Sequence, residues 1–137
     1  MTLVLDAQAL SVMARGLTGT GQRIGVLAAL RAALEDGAEL VVPAAVLAEL
    51  YRGRQHDQTV DACLSRYQAL VIVDTDRDLA REIGHLLARA DRGSEDHVDA
   101  TVVAVAARSG QAVIATGDVD DLSALAALLP GIRVAPV

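Results

Sequence analysis

The sequence predicts an α/β fold, a three-layer α/β/α sandwich around a mostly parallel central sheet of about five strands. Two observations carry that reading. Short apolar runs recur at 2–5, 40–42, 70–73, 112–115 and 132–135, and longer segments with apolar residues at helical spacing separate them. A third observation concerns function. The carboxylates Asp6, Glu49 and Asp99 stand in stretches that are otherwise apolar, and Asp118-Val119-Asp120-Asp121 follows the run Val113-Ile114-Ala115.

Residues 2–5 are apolar or β-branched throughout and read as a buried strand, with a short helix from Ala7 to Arg15 behind it. Gly16-Leu17-Thr18-Gly19-Thr20-Gly21 reads as a loop; it lacks the Gly-Lys-Ser/Thr ending of a phosphate-binding loop. Residues 22–36 form a helix with Ile24, Leu27, Leu30 and Leu34 on one face and Gly37 past its end. After the strand 40–42, Pro43 suits the first turn of a helix running to Arg52 and stopped by Gly53. A short helix over 57–67 carries Val60, Leu64 and Tyr67. Asp74-Thr75-Asp76 supplies helix-start chemistry after the strand 70–73, and the helix 77–90 turns Leu79, Ile83, Leu86 and Leu87 inward. Asp91 to Ser94 is a loop, 95–108 the most apolar helix, 121–129 the last helix and 132–135 the final strand.

With 137 residues the chain is expected to form one domain, 1–137, and a hydrophobic fraction of 53% is incompatible with general disorder. No apolar run approaches the roughly 20 residues that span a bilayer. The N-terminus has no basic region and meets Asp6 almost at once, so no signal peptide and a cytoplasmic location are expected. Cys63, the single cysteine, excludes both an internal disulfide and a cysteine-rich zinc site. The net charge of −6 argues against a general nucleic-acid coat but is compatible with an acidic metal site. All 12 basic residues are Arg.

An ionised carboxylate is costly to bury unless it is paired or holds a metal. On its helix Asp99 shares a face with Val102, Val103 and Ala106, and Glu49 shares one with Ala45 and Val46, so both are expected to point inward. Asp6 and Asp118/Asp121 follow strands one and four, at the carboxyl ends where sites of such sheets form. Each also has a simpler reading: Asp6 and one of Asp118 and Asp121 as helix caps, Glu49 as a solvated helix end. His56, His85 and His97 have no matching partner spacing. Arg52 and Arg54 make a charged face whose functional reading is contact with a phosphate backbone.

Four pieces in order, Leu3-Val4-Leu5-Asp6-Ala7, Pro43 to Glu49, Val98-Asp99-Ala100-Thr101-Val102-Val103-Ala104 and Ala115 to Leu122, make the chain resemble the PIN-domain family, within it the VapC-like toxins of type II toxin–antitoxin pairs. The resemblance implies an acidic site of Asp6, Glu49, Asp99 and Asp118, with Asp121 as a fifth acid and Thr116 as polar support. It implies RNA cleavage with Mg²⁺ or Mn²⁺, with Asp6, Asp99 and Asp118 as direct ligands and Glu49 positioning a second ion or the attacking water. It also implies a homodimer and inhibition by a cognate VapB-like antitoxin, for which the helices 22–36 and 43–52 are the contact candidates. Gln8 departs from the small or hydroxyl residue expected there. One rival is a catalytically silent PIN-fold binding module. Another is a phospho-acceptor receiver domain, which needs a late Lys that this chain lacks.

Overall fold

The apolar runs become five strands, all parallel, in the order β3-β2-β1-β4-β5. These are β1 (Thr2–Leu5), β2 (Glu39–Pro43), β3 (Leu70–Val73), β4 (Ala112–Thr116) and β5 (Ile132–Pro136). The computed structural model describes residues 1–15 and 21–137, with side chains from residue 28 onward in the second part. Of the expected loop 16–21, residues 16–20 lie outside the described residues, as does the inward face assigned to Ile24 and Leu27, and Gly21 is the first residue of a helix.

The helices are α1 (Ala7–Arg15), α2 (Gly21–Glu35), α3 (Ala44–Leu50), α4 (Arg54–Arg66), α5 (Arg77–Arg89), α6 (His97–Arg108) and α7 (Val119–Ala126). A 3₁₀ turn, Ser94–Asp96, leads into α6. Helix α1 packs on β1 and β4 together with α2 and α4, and α6 packs on β1, β2, β4 and β5 together with α5 and α7, giving the two helical layers. Helix α3 touches both α1 and α6 and so stands at the sheet's edge.

Burial explains the sequence pattern. Strands β1 and β2 are buried almost throughout because helices cover both faces, whereas β3 lies at the sheet's edge, with Val71 and Ile72 41% and 44% exposed. Every residue from Ala100 to Ala106 is buried, so α6 is the central helix of its layer. Its one polar side chain there, Thr101, donates its hydroxyl to the His97 carbonyl at 2.7 Å. Arg108 grips Glu82 through two hydrogen bonds of 2.8 and 3.0 Å, tying α6 to α5.

Several boundaries differ from expectation for local reasons. Pro43 is the last residue of β2 and precedes α3 with an extended ψ of 139°, so it caps the helix and does not occupy its first turn. Helix α4 begins at Arg54, not at 57, because Gly53 turns the chain at φ 107° and Asp57 accepts the Gly53 amide at 3.3 Å. Helix α7 begins at Val119, capped by Asp118, and ends at Ala126, where the bonds from Leu128 to Leu125 and from Leu129 to Ala126 tighten the chain before Pro130. Asp76 caps α5 as expected, accepting the Leu79 amide at 2.8 Å.

The turns into β4 and β5 meet at two glycines. Gly110 and Gly131 have φ of 78° and 79°, and a Cβ on Gly131 would collide with the Gly110 carbonyl oxygen. Gly131→Ala is therefore expected to lose about 2 kcal/mol or more, from left-handed strain plus a clash with rigid backbone. Gly37→Ala, at φ 86° with open space around it, should lose only about 1 kcal/mol. Urea midpoints of the two variants check the difference; equal losses would show that the glycine–glycine contact contributes nothing.

Candidate metal centre

Strand order reverses between β1 and β4, the place where a parallel sheet opens a crevice at its carboxyl edge. Asp6 leaves β1 there. Its amide donates to the Ala115 carbonyl at 3.2 Å, and its Oδ1 accepts the Ala9 amide at 2.8 Å, capping α1. Across the seam Thr116 ends β4 fully buried, and its Oγ1 accepts the Asp118 amide at 2.8 Å. That bond fixes the turn from which Asp118 projects. Asp118 Oδ1 in turn accepts the Asp121 amide at 3.5 Å, a long cap on α7. The Gln8 amide lies against Gly117, where a Cβ would strike it, so the first turn of α1 touches the turn carrying Asp118.

Asp99 enters from above on the first turn of α6, half-buried. Carboxylate oxygens of Asp99, Asp118 and Asp121 lie within 4.8 Å of one another. Among the described residues this is the group of side chains placed to share a metal ion. Asp6 and Glu49 stand outside it, and Asp121 stands inside. Glu49 is exposed, which corrects the expectation that it points inward. It is still near enough for its charge to act on Asp99.

Burial pushes the Asp99 carboxyl up to about 6, and the charges of Asp118, Asp121, Asp96 and Glu49 push in the same direction. The amino end of α6 favours a negative charge; desolvation and like charges outweigh it. The donors are all carboxylate oxygens, one half-buried and two open to solvent, and they repel one another. That donor set fits a hard divalent cation such as Mg²⁺ or Mn²⁺.

Arg52 and Arg54 are both exposed, in keeping with the charged face read from the sequence. Arg52 folds back, its Nη1 donating to the carbonyls of Ala48 and Tyr51 at 2.6 and 2.9 Å, so it caps the end of α3. Arg54 is exposed at the first position of α4. Tyr51 donates its hydroxyl to Asp61 at 2.6 Å, a bond that with burial raises the phenol to about 12 and braces α3 against α4. Sequence reasoning missed Arg92, which lies 3.7 Å from Asp96 and 3.9 Å from Asp121. No motif marks it. The available signal was its position just past a helix end, seven residues before Asp99.

This fold and acidic edge define a PIN-type α/β domain. The PIN domain family matches residues 4–128, and the chain belongs to that family. Three solved structures share the fold. VapBC2 from Rickettsia felis bound to a promoter DNA fragment is 17% identical with a TM-score of 0.68, over 100% of this chain and 99% of that one. DNA-bound VapBC from Salmonella typhimurium is 17% identical at 0.65, over 99% and 98%. VapBC-1 from nontypeable Haemophilus influenzae is 13% identical at 0.56, over 99% and 98%. A comparison with curated proteins finds no match. Among the described residues no helix is long and apolar enough to cross a membrane.

A carboxyl whose pKa rises on folding supports the fold most below its unfolded value of 3.8 and costs stability as pH climbs through about 6. Asp99→Asn should therefore raise the metal-free melting temperature at pH 7.5. The gain should shrink as pH falls from about 6 toward 4. Discounted for partial solvent screening, it is on the order of 1 kcal/mol. Calorimetry across that pH range checks it; a variant less stable than wild type at pH 7.5 would overturn the electrostatic assignment.

Proposed function

We propose that the chain is a Mg²⁺- or Mn²⁺-dependent endoribonuclease of the cytoplasm, the toxin of a toxin–antitoxin pair. The observation that carries this is the carboxylate cluster at the β1–β4 switch point of a PIN domain. Asp99 and Asp118 are the direct ligands, Asp6 offers the oxygen not used in its cap, and Asp121 is the further acid beside them. An ion held by these carboxylates would supply a more acidic water and offset charge on the phosphate. The chain's own residues do the rest. Thr116 holds the Asp118 turn. Glu49, exposed at the rim, orients the attacking water. The buried α6 keeps Asp99 where Asp118 and Asp121 face it.

With total RNA as substrate, cleavage is expected with Mg²⁺ or Mn²⁺ and none with EDTA. Asp99→Asn and Asp118→Asn should each lower the rate by at least about 100-fold while circular dichroism stays unchanged, a loss of the size seen when one transition-state contact is removed. No cleavage by the wild-type chain with either ion would leave the silent binding module as the better reading.

The partners follow from the same reading. The similar structures are VapBC complexes, which supports a VapB-like antitoxin for this chain. An antitoxin Arg, planar and always charged, suits the carboxylate cluster and competes there with metal. The chain is also read as a homodimer. Light scattering over a dilution series should show twice the 14.2 kDa chain mass; a monomer at every micromolar concentration removes the dimer. Co-expression with the adjacent small reading frame should abolish growth arrest, and arrest that persists in a co-purifying complex refutes the blocking role.

A further inference from the structure

We propose that Arg92 is the chain's own phosphate-binding residue at the acidic centre, contacting the substrate phosphate beside the metal; this rests on the ribonuclease reading above. Its placement is built into the backbone. Helix α5 ends in a Schellman turn, with the Asp91 amide donating to the Ala88 carbonyl at 3.2 Å and the Arg92 amide to Leu87 at 2.9 Å. The left-handed position in that turn belongs to Asp91, at φ 53°, the positive-φ residue other than glycine among those described. Glycine ordinarily takes this position, so the chain accepts some strain there. The turn fixes the direction in which Arg92 leaves the helix, and the guanidinium ends at the rim of the carboxylate cluster with 22% of its side chain exposed.

Its present partners hold it loosely. Asp96 and Asp121 lie at 3.7 and 3.9 Å, charge-pair distances longer than a good hydrogen bond. Its N–H donors are therefore available for exchange. A metal held by Asp99 and Asp118 would offset part of the Asp121 charge that attracts the guanidinium. The oxygens of a phosphodiester brought to the same rim would match the guanidinium fork. Other arginines are engaged elsewhere: Arg52 on the end of α3, Arg89 on the Leu128 carbonyl and Arg108 on Glu82.

Two measurements on the full chain test this: Mn²⁺ binding followed by electron paramagnetic resonance, without RNA, and steady-state cleavage of total RNA with Mn²⁺. Arg92→Gln should bind Mn²⁺ at least as tightly as wild type, because a fixed cation has left the neighbourhood of Asp121. It should lose about 100-fold in kcat/KM, and Arg92→Lys should recover part of that loss. Wild-type kcat/KM in Arg92→Gln overturns the inference. So does a parallel loss of Mn²⁺ binding, which would make Arg92 a brace for the carboxylates and not a substrate contact. A wild-type chain that binds no Mn²⁺ or cleaves no RNA ends the ribonuclease reading itself and takes this inference with it.

Discussion

Repulsion among carboxylates at the seam between β1 and β4 is the constraint to which the rest of the structure answers. Asp99, Asp118 and Asp121 come within 4.8 Å of one another, and Asp99 is held with its carboxyl raised to about 6. Two rigid parts bring them together, the start of α6 for Asp99 and the start of α7 for Asp118 and Asp121. Asp118 hangs from a turn bolted by the buried Thr116 hydroxyl. Asp99 stands on a helix whose next seven residues, Ala100 to Ala106, are all buried. That helix is held from behind by the Arg108–Glu82 pair and packs on both strands of the seam. The all-parallel sheet matters for the same reason: only parallel neighbours bring the carboxyl ends of β1 and β4 to one edge.

Asp6 and Asp118 each have a structural role that leaves room for the proposed site role. Each gives one oxygen to a helix amide, Ala9 for Asp6 and Asp121 for Asp118. A carboxylate has about four acceptor positions, so a cap leaves most of them free. The cap also removes rotamer freedom, which orders the remaining oxygen without metal. At these two positions the helix-cap reading and the metal-site reading are therefore complementary. Asp6 differs from Asp118 in distance: its cap holds it at the foot of α1, outside the three-acid group.

The sheet was legible because its strands are short, apolar and buried on both faces, and helices of clear period separate them. Asp99 was legible because its neighbours in sequence are apolar, and it is half-buried in the structure. What was not legible depends on exposure or on three-dimensional neighbours. Glu49 shares a helix face with Ala45 and Val46, yet the helix ends beyond it at Leu50 and stands at the sheet's edge, so that face is open at Glu49. The first turn of α4 is polar, Arg54-Gln55-His56, and gives no periodic signal. Arg92 lies in a tight turn whose left-handed residue is Asp91, and sequence rules look for glycine at that place. Its nearness to Asp121 comes from the packing of α5, α6 and α7, which no local pattern encodes.

If the proposed RNA substrate is right, composition narrows how this chain would recognise it. Tyr51 and Tyr67 are its only aromatic residues, and the Tyr51 hydroxyl is committed to Asp61. A single-strand binder of ordinary type uses rows of aromatic rings, so base stacking is a minor source of affinity here. A net charge of −6 also removes long-range attraction for a polyanion. Under the proposed ribonuclease function, recognition would have to be local: an ion held by the carboxylates, a cation beside it, and shape. Three carboxylates within 4.8 Å of one another oppose a polyanion by charge, so on that proposal substrate affinity would depend on the metal. The acidity of the chain would then be a condition for binding and not an obstacle to it.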